Sequence, residues 1–173
     1  MLSVKTGFER NYGNNPYAGY DAKNGIPFLY RGEIDARLPA MERVLSIPIE
    51  SGHQLVPLTS LEQKPLIEMQ GKEGPVVVIA TGTAASALDE GTIAYSREIP
   101  VAAAFNAEHD GEKLTFEIKN DQVVDKQTGS VWNALGHAVK GDLEGAHLEQ
   151  IDLGVHFSFA WLAFDPQAAI YGQ

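Results

Sequence analysis

No interval between the apolar, alternating runs of this chain is long enough for the helix that a parallel crossover requires, and that spacing constrains the fold class more than any other feature. A βαβ winding needs a connection of about a dozen residues or more, mostly helical. The runs here are separated instead by short segments carrying Gly, Pro, Asn or Asp, which favour turns. Strands joined in that way pair antiparallel. The expected fold is α+β and mainly β, an antiparallel meander or partly closed sheet with few short helices.

The firmest local signal is Asp110-Gly111 within "VAAAFNAEHDGEKLTFEIKN", where Asp-Gly supplies positive φ between two alternating runs and predicts a tight hairpin. The second run places Leu114, Phe116 and Ile118 on one face. "QVVD", "HAVKG" and "HLEQI" predict further short strands. "MERVLSIPIE" sets Leu45, Ile47 and Ile49 on one strand face, and Pro48, which has no N–H to donate, predicts an edge or a strand end. "HQLVPL" continues the β pattern. The unbroken apolar run Val76 to Ala80 predicts a strand buried on both faces, with the small residues after Gly82 turning into a short helix. Ser60, with Gln63 three positions on, is placed to start one helical turn that Pro65 stops. Near the end, Phe157, Trp161 and Phe164 fall at helical spacing before Pro166 and predict a short buried helix or a strand-helix junction.

The segment before Pro27 is crowded with Gly, Asn, Pro and Tyr and predicts an extended arm over 1–26 whose tyrosines pack on the body. Regular structure is expected from "PFLYRG", in one mainly β domain over 27–173. A length of 173 residues suits a single domain with a full core.

Thirteen Lys and Arg against 23 Asp and Glu leave a net charge of −10, which repels phosphate backbones and argues against nucleic acid as a partner. Arg31, Arg37 and Arg43, each near Glu33, Asp35 or Glu42, predict a salt-bridged face. The absence of cysteine excludes disulfides, thiolate nucleophiles and Cys-ligated metals. No stretch approaches the roughly 20 apolar residues of a transmembrane segment, and Met1 to Arg10 lacks a signal-peptide core.

Two segments hold candidate ligand-binding residues. In "TGSVWNALGHAVKGDLEG" Ser130 fails the G-x-S-x-G pattern of a hydrolase nucleophile, because Trp132 stands where the second glycine belongs. The same residues fit turn chemistry: Asp125 and Thr128 bonding nearby backbone, Gly129 taking positive φ, and Trp132 burying its indole while its N–H meets a carbonyl. They also fit a site in which Thr128, Ser130, Asn133 and His137 offer polar groups around the Trp132 face. The second segment, "ATGTAASALD", offers Thr81, Gly82, Thr83 and Ser86 at a possible anion-holding turn, without the Walker lysine or the G-x-G-x-x-G spacing. The five histidines show no metal-binding spacing, "DAKNG" lacks a calcium register, and neither a metal nor a cofactor is expected. Carboxylate pairs such as Asp35 with Glu42 or Asp89 with Glu90 read as solvated surface or as acid/base groups equally well.

The ordered blocks "NPYAGYD", "PFLYRG", "D-A-R-LPAMERVLSI", "VVVIATGTAASALD", "LTFEIKN" and "VVDKQTGSVWNALGHAVKGDLEGAHLEQI", then "HFSFAWLAFDP" and "IY", resemble the prokaryotic domain of unknown function 3179 family from Asn15 to Tyr171. The TGS-x-W-N block followed by G-x-L-x-G is the most specific part. The resemblance implies a cell-envelope location, since members are often exported or lipid-anchored, and implies no particular reaction. Many related sequences carry Cys-Pro-x-Cys after the strand matching "PVVVIA", whereas this chain has Thr81-Gly82-Thr83 there. Two functions stay open: a non-catalytic binding or assembly module of the envelope, and an enzyme acting on a small polar or anionic substrate through a pocket between the Gly82 and Ser130 segments. In the enzyme, His137 would be the acid/base, Ser130 and Asn133 the orienting groups, and the Gly82 turn an anion hole.

Overall fold

Short alternating runs become short strands. The structure, a computed structural model, describes Gly7, residues 15–22 and residues 24–173. β1 (Arg43–Ile49) and β2 (Gly52–Pro57) form a hairpin that leads into the helix α1 (Leu58–Gln63). β3 (Leu66–Gln70), β4 (Pro75–Ala85) and β5 (Glu98–Asn106) make a three-stranded sheet with β4 in the middle. β6 (Glu108–His109) and β7 (Glu112–Lys113) pair as a small hairpin. A four-stranded sheet follows, built from β8 (Phe116–Lys119), β9 (Gln122–Asp125), β10 (Val131–Trp132) and β11 (Ala138–Lys140). The chain ends with β12 (Val155–Phe157), helix α2 (Ser158–Phe164) and β13 (Ala169–Ile170). These last strands flank the first hairpin in the order β12-β1-β2-β13. Among the described strands only β13 and β2 run parallel, so the fold is mainly β and antiparallel with few short helices, as the spacing requires.

The period of two along β4 explains why four consecutive apolar residues are buried. Val77 and Ile79 point to one core with Phe105, Phe116, Val123 and Trp132, between this sheet and the β8–β11 sheet. Val76 and Val78 point to a second core with Leu45, Ile47, Val56 and the α1 residues Leu58 and Leu61. β1 is covered on both sides as well, because Val44 joins Leu55, Leu162 and Ala168 beneath α2. Each such aliphatic side chain contributes roughly 1.5–3 kcal/mol by leaving water. At Pro48 β1 has already passed its pairing with β12, which ends at Leu45, so the missing N–H falls at a strand end.

The Asp110-Gly111 hairpin forms with φ of 51° and 79° at its two turn residues. Several local expectations are corrected. The residues after Gly82 do not turn into a helix: β4 continues to Ala85, with a bulge between Ala80 and Gly82, because β5 supplies a pairing partner at each position. That ladder outweighs alanine's helix preference, which is at most about 1 kcal/mol per residue. α1 starts at Leu58 rather than at Ser60 and has no side-chain cap; buried Leu58 and Leu61 hold it to the core, and it stops before Pro65. "HLEQI" is not a strand, since its residues bridge two different neighbours, His147 to His137 and Gln150 to Phe105. "PFLYRG" turns, with Tyr30 N–H donating to the Pro27 carbonyl, and among the described residues the first strand begins at Arg43. β10 was not expected. Ile118 is exposed, unlike Leu114 and Phe116. The strand-helix junction at Ser158 does form, but α2 buries Ser158 and Leu162 and leaves Phe164 at 92% exposure, because the cover over Val44 and Leu55 comes from Leu162.

Before β1, Tyr20 packs edge-on against Phe28 and Phe157, while Tyr17 is exposed; Tyr12 lies outside the described residues.

Gly136 is the tightest test of this packing. Its φ is +73°, and a Cβ there would come within 2.7 Å of the buried Phe105 ring. Gly136→Ala is expected to lower unfolding free energy by roughly 2–3 kcal/mol, read by urea denaturation.

Candidate functional site

The Thr128–Gly145 segment closes on a buried carboxylate. Asp125, at the end of β9 and 0% exposed, accepts hydrogen bonds from Thr128 N–H (2.6 Å), Thr128 Oγ1 (2.9 Å), Ser130 N–H (3.2 Å) and Trp132 Nε1 (2.9 Å). Gly129 takes a φ of +72° to make the turn. The indole N–H therefore meets a carboxylate rather than the expected carbonyl, and Trp132 lies in the core. Ser130 Oγ, also buried, lies 2.7 Å from Thr128 Oγ1 and accepts from Leu143 N–H. Asn133 Oδ1 accepts from the N–H groups of Leu135 and His137. His137 is exposed, its ring 5.9 Å from that of His147. The polar density of the sequence is thus largely used in shaping one loop.

The Gly82 segment leads elsewhere. Gly82 and Thr83 are exposed on β4, and Thr83 Oγ1 donates to Glu98 Oε2 at 2.5 Å. Thr81 is placed by its backbone in β4. Ser86 is fully buried just past the strand end, where its Oγ donates to Asp21 Oδ2 at 2.6 Å and accepts from Arg43 Nη2 at 3.0 Å. Among the described residues no side-chain hydrogen bond joins the Gly82 and Ser130 segments.

Asp21 is the centre of the polar group that does form. It is 0% exposed, and its Oδ2 lies 2.6 Å from Arg43 Nη2 and 3.0 Å from Arg97 Nη2. Arg97 also holds Asp89 through Nη1 at 2.8 Å and donates to the Asp21 carbonyl. The expected salt-bridged face is corrected here: Arg37 pairs with Asp35 at 2.7 Å, but Arg43 turns inward to Asp21, where a buried carboxylate offers a stronger partner than exposed Glu pairs in water. Asp21 Oδ1 is buried and accepts no hydrogen bond from the described residues.

Asp21, Arg43 and Arg97 lie on the wall of a cleft of about 240 Å³, whose rim carries Glu42, Glu62 and Glu98. A broader depression of about 530 Å³ adjoins it through Glu42 and Thr59. Among the described residues no three His, Asp or Glu side chains converge as metal ligands would. Composition and periodicity did not reveal this centre, because charge in a turn-rich segment reads as surface. The one signal was that "NPYAGYD" and "MERV", two of the blocks carrying the family resemblance, contain Asp21 and Arg43.

Fold and cleft together define a mainly β domain in which the segment before β1 delivers a buried acid to the start of β1 and the end of β4. The family model described as "Protein of unknown function (DUF3179)" matches residues 1–168, and the chain belongs to that family. No curated protein and no solved structure matches it. No helix among the described residues is long and apolar enough to cross a membrane.

Burial pushes the Asp21 carboxyl up, but hydrogen bonds from Ser86 and Arg43 and the charges of Arg43 and Arg97 outweigh it, holding the group below its ordinary 3.8. The unfolded chain then binds more protons in this range, so stability rises with pH. The contribution is complete above 3.8 and disappears as pH falls through the lower folded value. Thermal melts from about pH 5 downward are expected to show a flatter acid limb in Asp21→Asn than in the wild type; Asp35, also held low by Arg37, preserves part of the slope. Separately, Asp125→Ala is expected to cost roughly 3 kcal/mol by removing the shared acceptor of four donors, the buried Trp132 Nε1 among them, measured by chemical denaturation.

Proposed function

We propose that this chain is a non-catalytic binding module of the cell envelope, an extended arm over 1–26 on one domain over 27–173, that takes a small ligand in the cleft beside Asp21. The observation that carries this is Asp21, a buried residue among those lining an open cleft, whose Oδ1 meets no donor among the described residues. A buried acceptor left unsatisfied costs roughly 1–3 kcal/mol, and a ligand N–H or O–H would relieve it. Of the candidates from the sequence, Ser86 and Thr83 serve this cleft through Asp21 and Glu98, with Thr81 and Gly82 on the strand that carries Thr83 and leads to Ser86. Thr128, Ser130, Trp132, Asn133 and His137 belong in this reading to a shaping loop. The net charge of −10 supports a partner other than nucleic acid. The envelope location rests on the resemblance alone.

The alternative, an enzyme with a pocket shared by Gly82 and Ser130, has less support, since Ser130 Oγ is already engaged by Thr128 and Leu143. A ligand-screening thermal shift discriminates the two. Hits are expected to raise the melting temperature of wild type and His137→Ala alike and to lose that effect in Thr59→Trp, which fills the cleft mouth. Turnover abolished by Ser130→Ala or His137→Ala would reverse the assignment.

A further inference from the structure

We infer that the ligand of the Asp21 cleft is a small organic cation bearing N–H donors, a primary amine or guanidinium on a short apolar stem. The inference rests on the binding reading above and names the ligand's class.

Three observations converge on it. The first is charge: the cleft wall and rim carry four acidic groups, Asp21, Glu42, Glu62 and Glu98, against two basic ones, Arg43 and Arg97, which leaves the lining net acidic. The second is that the two arginines are already engaged. Arg43 Nη2 is held between Asp21 and Ser86, with the guanidinium 5.1 Å above the Phe157 ring, and Arg97 is shared between Asp21 and Asp89, which lies outside the lining. An anion would have to compete with Asp21 and Asp89 for them and would also face the three glutamates. The third is Asp21 itself, fully buried, with Oδ2 saturated and Oδ1 lacking a donor among the described residues. A carboxylate oxygen accepts only, so the missing partner must donate, and a charged N–H donor gives the stronger bond.

The remaining lining selects among cations. Met41, Leu58, Ile99 and Pro100 present apolar surface beside the carboxylates, suited to a hydrocarbon stem. Hydrated inorganic ions gain nothing from that surface, and the described residues bring together no three metal-ligating side chains. Quaternary ammonium compounds carry the charge but no N–H, so they leave Oδ1 unsatisfied.

Titrations followed by amide NMR of the full chain test this with four probes that each carry a short alkyl stem: n-butylamine, butylguanidinium, butyltrimethylammonium and butyrate. The expected result is saturable shifts at Thr59, Arg97 and Glu98 with the first two, binding at least about tenfold tighter than the quaternary ion. Asp21→Asn risks unfolding, so the variant is Glu62→Gln, an exposed rim substitution that keeps the fold. It is expected to weaken butylamine severalfold and to leave the free-protein spectrum unchanged away from the rim. If butyrate binds at those amides, or the quaternary ion binds as tightly as the amine, the cation class is overturned while the cleft remains a binding site. If none of the four probes moves them, while an unrelated compound that stabilises the protein shifts residues elsewhere, the cleft assignment falls with it.

Discussion

Asp21 holds together segments that the backbone ladders leave separate. Its carboxylate meets Arg43 at the start of β1, Ser86 just past the end of β4 and Arg97 just before β5, so one side chain from the N-terminal segment links two sheets. A buried carboxylate alone would be strongly disfavoured by desolvation, and two guanidinium groups with a hydroxyl are what make the charge tenable. The arrangement is mutual. Asn15 Nδ2 donates to the Ala87 and Glu90 carbonyls and Gly19 N–H to that of Asp89, so the loop that carries Ser86 is fastened to the same segment that Asp21 anchors.

Beneath this ion group lies a layered apolar interior. β4 is its middle member, sending Val77 and Ile79 toward the β8–β11 sheet and Val76 and Val78 toward the β1–β2 hairpin. The bulge between Ala80 and Gly82 marks where β4 leaves the doubly covered interior for the exposed stretch that ends near Ser86. The β8–β11 sheet holds a second buried carboxylate, Asp125, which satisfies four donors without any arginine. The two acids differ in consequence. Both Asp125 oxygens are used, and Asp21 retains one that meets no donor among the described residues.

Much of the fold was legible because it depends on local pattern. The Asp110-Gly111 turn, the doubly buried run at Val76 and the stop at Pro65 follow from backbone geometry and period-two burial alone. What misled was propensity applied where pairing decides: Ala84 and Ala85 read as helix and are strand because Ile99 and Glu98 lie opposite them. The TGS-x-W-N loop was legible as turn chemistry, but Trp132 Nε1 finds the Asp125 carboxylate, a partner on another strand that spacing does not specify. Arg43 read as one of a row of surface ion pairs, since a sequence shows its near neighbour Glu42 and not Asp21, 22 positions away.

By itself, then, the sequence determined the class of fold, the places where the chain must turn, the exclusion of thiol chemistry and the family resemblance. These depend on which residues are adjacent or a few positions apart. Tertiary structure alone decided which charges are buried and which hydroxyls are already engaged, and therefore where a ligand could find an unmet partner. Burial and pairing join residues distant along the chain: Ser86 is 65 positions from Asp21, and the 2.6 Å between them exists only once the N-terminal segment has docked beside β4.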